Sequence, residues 1–217
     1  MPKKEESPLI AAWEEEAKLH PNRVYFNKPQ LLTQYIAAKT TVIVAGRRTG
    51  KTDSIASPFV LRNMQRMPGS TGGIVVPTFK HGLTNTLPGL LAAWKRWGYL
   101  NGIHYVVGRK PPKSFAKPIT EPADYEHVIT FYNGSVAIII SQDRPGSSNS
   151  LTLSWLLIDE AKFPFVVNGI EFPSKRFDDR IDKDGIFASI LILGGTKKGN
   201  FYKVLQIFAQ NIYSITF

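Results

Sequence analysis

The stretch Ala45-Gly-Arg-Arg-Thr-Gly-Lys-Thr52 decides the fold of this 217-residue chain. It follows a β-branched run at residues 41–45, typical of a buried strand, and it opens a segment of helical periodicity. A glycine-rich turn in that context matches the loop that binds phosphate through backbone N–H groups, and the flanking elements disfavour a chance glycine turn. Gly50 lets the backbone approach closely, Lys51 reaches the β- and γ-phosphates, and the Thr52 hydroxyl ligates Mg²⁺. The predicted nucleotide-binding residues of the loop are Ala45, Gly46, Arg47, Arg48, Thr49, Gly50, Lys51 and Thr52.

A second motif, Leu156-Leu-Ile-Asp159-Glu160, ends a predicted strand in two acids. Many strands end in acidic residues, so this motif alone is weak evidence. It gains weight because a phosphate loop comes earlier in the chain, with another strand–helix unit between the two motifs. In that context Asp159 lies by the metal of Mg-ATP, and Glu160 polarises the attacking water as general base. The two motifs together predict hydrolysis of ATP.

Apolar strands alternate with helical segments, which predicts an α/β fold with a mostly parallel sheet and helices on both faces. The predicted strands are 41–45, 72–77, 128–131, 136–141, 155–158 and 188–193, with an Asn-Gly hairpin at 132–134. The predicted helices are 8–20, 29–38, 51–67 (kinked or restarted at Pro58), 83–97 (starting properly at Pro88) and one beginning at 201–209. Residues 108–124 read as irregular. We expect one domain over 1–217, with 1–27 as a helical extension.

Composition narrows the functional class. Lys and Arg number 27 against 17 acids, a net charge of +10, which indicates either a polyanionic partner or merely a basic surface. The absence of cysteine excludes disulfides, thiolate metal sites and cysteine catalysis. The sequence has no run of about 18 apolar residues and no apolar signal core at its N-terminus. We therefore expect a cytoplasmic protein that does not enter a membrane.

Five strings together resemble phage terminase large subunits, the motors that drive viral DNA into a capsid. They are GRRTGKT (46–52), IVVPT (74–78), ITFYNGSVAIII (129–140), LLIDEA (156–161) and LILGGTKKGNFY (191–202). The resemblance covers roughly residues 23 to 205. It implies a P-loop NTPase of the additional-strand, catalytic-glutamate type that uses ATP and Mg²⁺. It also implies double-stranded DNA, a portal and a small terminase subunit as partners, a homo-oligomeric ring, and a location in the host cytoplasm.

The resemblance also implies roles for single residues. Arg47 would sense the γ-phosphate and act with Lys51 and Glu160 in catalysis. Gln30 would read adenine, with Gln34 as the alternative, and Thr196 would couple hydrolysis to movement.

The sequence departs from the family in three places. The coupling motif reads Gly195-Thr-Lys-Lys-Gly199 where Ser-Thr-Pro-Lys-Gly is common. An arginine that acts on a neighbouring subunit is expected near Asn149, and the nearest arginine is Arg144. Relatives continue into a lid and a nuclease domain, so we expect no nuclease activity here. The alternative functions are a helicase-like translocase of superfamily 2 and a nucleotide-binding fragment without efficient turnover.

Three further features have a simpler interpretation. The acids at 178–184 suggest a metal cluster but are interrupted by basic residues, so a turn is predicted. Trp94 and Trp97 fit a core better than base stacking. Five basic residues either contact DNA phosphates or form a solvated face: Lys95, Arg96, Arg109, Lys110 and Lys113.

Overall fold

The computed structural model describes residues 26–35, 40–44, 49–143 and 151–159, four further strands, and Glu15, Lys18 and Leu19 of the N-terminal segment. Those three N-terminal residues are helical, as predicted. The remainder of the helix predicted at 8–20 and the one predicted from 201 lie outside the described residues. No helix in the described part of the chain is long and apolar enough to cross a bilayer.

The strands form a mostly parallel sheet, as predicted. In chain order they are β1 (Thr40–Val44), β2 (Thr71–Val76), β3 (Tyr105–Val107), β4 (Val128–Phe131), β5 (Val136–Ser141), β6 (Trp155–Asp159), β7 (Phe165–Val167), β8 (Ile170–Phe172), β9 (Ser189–Gly194) and β10 (Tyr213–Thr216). Eight of these described strands make one sheet in the order β10-β1-β9-β6-β2-β5-β4-β3, and β7 pairs with β8. The pairs from β10 to β5 are parallel, whereas β4 is antiparallel to both β5 and β3.

The position of β9 settles the type of sheet. It pairs with β1 on one side and with β6 on the other, with Val44 opposite Gly194 and Asp159 opposite Leu193. The strand that leads to the phosphate loop and the strand that ends in Asp159 are therefore separated by one strand. This is the additional strand that the sequence predicts.

Four strands were not predicted: β3, β7, β8 and β10. Each has only three or four residues, which is too short for an alternating pattern to stand out from the surrounding chain. β10 nevertheless has a structural role, because it pairs in parallel with β1 and covers its outer edge.

The helices contain two π-helical turns, each running directly into an α-helix. The helical segments are α1 (Lys28–Tyr35), the π-turn Lys51–Ala56 with α2 (Ser57–Arg66), and α3 (Phe79–His81) followed by the π-turn Gly82–Thr86 and α4 (Leu87–Arg96). The π-turns are closed by backbone bonds that span five residues, from Ser57 N–H to the Thr52 carbonyl and from Leu87 N–H to the Gly82 carbonyl. Pro58 and Pro88 follow the first residue of α2 and α4, where the missing N–H costs little. The α-helical pattern resumes one residue before each proline. The helical segment that contains Pro88 nevertheless begins at Phe79, so the predicted start at Pro88 is wrong.

The hydrophobic core lies between α2, α4 and the sheet. Trp94 is fully buried, and its ring makes edge contacts with Tyr105 and Phe131 at centroid distances of 5.2 and 5.6 Å. Trp97 is partly buried against the same cluster. Both tryptophans are thus core residues, as predicted.

The Asn-Gly signal produces the predicted hairpin between β4 and β5. Gly134 has φ +81°, and its N–H bonds the Phe131 carbonyl at 3.0 Å while Phe131 N–H bonds the Ser135 carbonyl at 2.9 Å. This is a three-residue loop with glycine in the left-handed region. A Cβ at Gly134 would lie 2.6 Å from the Lys117 carbonyl oxygen, so the irregular segment packs tightly over the turn.

Candidate nucleotide site

The described half of the predicted phosphate loop, residues 49–52, contains a glycine in the left-handed region. Gly50 adopts φ 77° and ψ 20°, in the left-handed region, and immediately precedes the helical turn that carries Lys51 and Thr52. A Cβ on Gly50 would lie 2.7 Å from Nε2 of Gln30. The positive φ therefore favours glycine, and a Cβ at this position would displace the Gln30 amide from its contact with the loop. The helix begins here with its N–H groups directed back towards the loop, which favours an anion.

Gln30 fastens the start of α1 to the phosphate loop. Its Nε2 donates to the Thr49 carbonyl oxygen at 3.0 Å. Its Oε1 accepts from Asn27 N–H at 3.0 Å, while Oδ1 of Asn27 accepts from Gln30 N–H at 2.9 Å. This reciprocal pair is a capping box at the helix N-terminus. Gln30 is 9% exposed, so the residue predicted to read adenine lies buried against the loop, and that role stays a prediction.

Gln34 lies one helical turn further along α1 and makes a parallel contact. Its Nε2 donates to the Ser54 carbonyl oxygen at 3.2 Å. The backbone carbonyl oxygen of Gln34 accepts a hydrogen bond of 3.0 Å from Nη1 of Arg62. Burial lowers the pKa of Arg62, and the neighbouring charge of Arg66 lowers it further. Two glutamines on one face of α1 therefore hold it against the helix that follows the phosphate loop.

Asp159 lies at the carboxyl end of β6 and is only 6% exposed. Its Oδ2 accepts a hydrogen bond of 2.7 Å from the Thr86 hydroxyl. Its backbone carbonyl accepts one of 3.2 Å from Nε2 of Gln142, which directly follows β5. Thr86 and Gln142 are each 2% exposed. A buried carboxylate is costly without donors, and the hydrogen bond from Thr86 lessens that cost.

Thr86 and Gln142 were not predicted from the sequence. Gln142 follows a strand that is parallel to β6 in the same sheet, and polar residues in that position meet at one edge, so its signal was available. Thr86 lies inside a segment with helical periodicity, and nothing in that pattern distinguishes its hydroxyl.

Thr52, the predicted metal-ligating hydroxyl, contacts the same turn that holds Asp159. A Cβ on Gly89 would lie 3.1 Å from Cγ2 of Thr52. Further along, Oγ of Ser57 donates to the Leu90 carbonyl at 3.2 Å. The turn Thr86–Gly89 thus touches both predicted metal ligands, which come from distant parts of the sequence.

This donor set fits Mg²⁺. A threonine hydroxyl and a carboxylate supply the hard oxygen ligands that Mg²⁺ prefers, with nucleotide phosphates and water completing its shell. No group of three or more His, Asp or Glu side chains that could hold a metal occurs among the described residues. A metal held mainly by the nucleotide, with one hydroxyl and one carboxylate from the protein, matches this arrangement.

An ion pair stands beside the loop. Arg96, at the end of α4, pairs with Asp53, which follows Thr52 directly. Their side chains are 56% and 43% exposed, so the pair contributes little to stability. The pair does compensate the charge of Arg96, which is one of the five basic residues that could contact DNA phosphates. The other four, Lys95, Arg109, Lys110 and Lys113, are exposed.

The remaining predicted site residues lie outside the described residues. They are Ala45, Gly46, Arg47, Arg48, Arg144, Glu160 and Thr196, together with the acidic run 178–184. In sequence, Glu160 is the residue after Asp159, the last residue of β6, and Thr196 comes two residues after Gly194, the last residue of β9.

Solved structures of phage large terminases share this fold. The large terminase of the thermophilic bacteriophage D6E superposes with a TM-score of 0.57 over 89% of this chain, at 17% identity. The structure of the D6E large terminase in complex with ATP-gamma-S superposes with a TM-score of 0.55 at 18% identity. That match covers 89% of this chain and 45% of the D6E chain. The ATPase domain of the Thermus phage P74-26 large terminase gives 0.51 at 19% identity, covering 86% of this chain and 72% of that domain. The fold is that of a large terminase ATPase domain.

The likeness to large terminases is a likeness of fold. It extends over only part of the D6E protein, which is the longer of the two chains. The chain spans 46% of the D6E large terminase. No protein-family model matches the sequence, and neither does any curated protein. The P-loop fold predicted from the sequence is confirmed, including its additional strand.

Proposed function

We propose that this chain is the ATP-hydrolysing motor domain of a phage terminase large subunit. The observation that carries the proposal is the turn Thr86–Gly89, which contacts both Thr52 behind the phosphate loop and Asp159 at the end of β6. Phosphate-loop and acidic residues that are distant in sequence thus share one contact surface. The terminase ATPase fold, and the binding of ATP-gamma-S by the D6E protein, support the same reading.

The chemistry is cleavage of the bond between the β- and γ-phosphates by in-line attack of water. Lys51 contacts the β- and γ-phosphates, and Arg47 contacts the γ-phosphate. Thr52 and Asp159 would hold the Mg²⁺ of Mg-ATP, which would neutralise charge on the phosphate oxygens. Glu160 accepts a proton from the attacking water. The chain contributes position and electrostatics, and the products are ADP and inorganic phosphate.

The mechanical work is translocation of double-stranded DNA into a procapsid in the host cytoplasm. The net charge of +10 supports a polyanionic track. Thr196 couples the nucleotide state to movement, and Arg144 is the candidate arginine that acts on a neighbouring subunit. The partners are the portal, the small terminase subunit and further copies of this chain in a ring. We propose no nuclease activity for this chain.

Phosphate release and calorimetry test the proposal together. The purified chain should hydrolyse Mg-ATP, and duplex DNA should stimulate it. Lys51→Ala should abolish Mg-ATP affinity because it removes the cation placed on the phosphates. The matched control is Lys117→Ala, an exposed lysine in the segment between β3 and β4. Those two strands lie at the end of the sheet far from β1. Wild-type affinity in Lys51→Ala would refute the phosphate-loop assignment.

A further inference from the structure

A buried hydroxyl, Thr86, contacts the carboxylate of Asp159. Its Oγ1 lies 2.7 Å from Oδ2 of Asp159, and the two side chains are 2% and 6% exposed. A hydrogen bond to a carboxylate is short and stronger than one between neutral groups. In a buried setting it holds the carboxylate in one orientation, because rotation would leave a buried charge without this donor.

The backbone around Thr86 is built for this contact. Thr86 is the last residue of the π-turn Gly82–Thr86, which widens the helix immediately before α4 begins. Such turns are rare and occur frequently at functional sites. A Cβ at Gly82 would lie 2.8 Å from Cγ2 of Val76, so the turn packs closely on the end of β2. Val76 is itself linked to the neighbouring strand end, since its carbonyl accepts from Gln142 N–H at 2.9 Å.

A second contact fixes Asp159 from its backbone side. The side-chain amide of Gln142 donates to the Asp159 carbonyl at 3.2 Å. The end of β6 is thus held through its main chain by Gln142 and through its side chain by Thr86. Thr86 therefore orients the carboxylate of Asp159, and Gln142 holds the backbone that carries it.

The same turn reaches the phosphate loop. Three residues after Thr86, the backbone at Gly89 approaches Thr52 so closely that an added Cβ would meet Cγ2 at 3.1 Å. Cγ2 of Thr52 therefore lies beside Gly89, on the side where a Cβ would project. The segment Thr86–Gly89 therefore lies close to both Thr52 and Asp159.

We propose that Thr86 is a positioning residue for the metal of Mg-ATP. Its hydroxyl aligns Asp159, and the turn that it begins aligns Thr52, so that both oxygen ligands are preorganised. This inference rests on the proposed function, because it assumes that Mg-ATP binds here. It assigns Thr86 no contact with nucleotide, so Thr86 governs how well the metal binds and leaves recognition of the nucleotide itself to the phosphate loop.

The test compares Thr86→Val, which removes the hydroxyl at nearly constant shape, with Thr86→Ser, which keeps it. Two measurements use the full chain: the affinity for Mn²⁺ in the presence of ADP, followed by electron paramagnetic resonance, and the affinity for ATP in EDTA. Loss of a residue that orients a metal ligand costs about 10–100-fold in metal affinity. We expect that loss in Thr86→Val, near-normal Mn²⁺ affinity in Thr86→Ser, and metal-free ATP binding within about twofold of wild type in both.

Several outcomes would overturn the inference. They are Mn²⁺ affinity unchanged in Thr86→Val, equal loss in Thr86→Ser, or a parallel loss of metal-free ATP binding that marks a packing defect. Should Thr86→Val fail to fold, Thr86→Cys takes its place, because a thiol is a weak donor and predicts an intermediate loss. Failure of the proposed function looks different, because wild-type chain would then bind neither Mg-ATP nor metal-free ATP.

Discussion

Nε2 of Gln30 donates to the backbone carbonyl of Thr49 across 3.0 Å, and this contact joins the start of α1 to the phosphate loop. The same side chain closes a capping box with Asn27. The shape of the loop therefore depends on a helix that precedes it by almost twenty residues. Nucleotide binding should respond to changes at either end of this contact.

Gln30→Ala should weaken nucleotide binding about fivefold, since a lost hydrogen bond to the loop is worth about 1 kcal/mol. Loss of the loop contact should affect ATP and GTP alike, and any further loss confined to ATP would measure the predicted adenine contact. Calorimetry with both nucleotides gives these values. Gln34→Ala, on the same helix, is the matched control and should have a smaller effect because Gln34 bonds Ser54 beyond the loop. Unchanged affinity for both nucleotides in Gln30→Ala would contradict the fastening role.

Glu160→Gln should separate binding from hydrolysis. The amide cannot accept the proton of the attacking water, and general bases contribute about 10²–10⁴-fold. We expect retained Mg-ATP affinity with turnover reduced by that factor, measured by phosphate release. Turnover within about threefold of wild type would show that another group is the base.

Gly72→Ala should destabilise the sheet. Gly72 pairs with Trp155 across β2 and β6, and an added Cβ would lie 1.8 Å from Cε2 of the indole. Overpacking of a core typically lowers the free energy of unfolding by about 1–3 kcal/mol, measurable by urea denaturation. In a Trp155→Leu background the same change should cost clearly less, because the ring is gone. Additive effects of the two substitutions would show that the indole does not cause the strain.

Binding to duplex DNA should weaken steeply as salt rises and show no sequence preference, because the contacts are to phosphates. Replacing Arg109, Lys110 and Lys113 by Gln should reduce the slope of log affinity against log salt by roughly 2–3 if all three contact phosphates. Arg96→Gln is the control with a smaller expected change, since Asp53 already compensates that charge. Fluorescence anisotropy at several salt concentrations measures both, and a flat salt dependence would rule out tracking along the backbone.

The sequence predicts those parts of the fold that rest on local patterns. The β-branched run before the loop and the hydrophobic run ending in Asp159 become β1 and β6 because buried parallel strands are continuously apolar. The Asn-Gly pair becomes a hairpin because Gly134 supplies the positive φ. Each of these features is encoded within a few neighbouring residues.

The parts that were missed depend on long-range contacts. Thr86 becomes a partner of Asp159 only when β2 and β6 lie side by side in the sheet. Hydrophobic periodicity does not indicate which polar residue will make such a contact. β10 is a strand because β1 offers it an edge, and its four residues alone gave no comparable signal. Gln30 was singled out through resemblance, yet its contact with the Thr49 carbonyl could not be read from spacing.

The pairing of β1 sets an order for assembly during synthesis. β1 leaves the ribosome before every other strand of the sheet, but its partners β9 and β10 are the last two described strands to be made. Pairings that are distant in sequence form late because the chain between them must first be brought together. The nascent chain should therefore acquire nucleotide affinity only after β9 and β10 have been made, when β1 is held on both sides. Until then the β-branched segment Thr40–Val44 has two unpaired edges, which exposes it to aggregation.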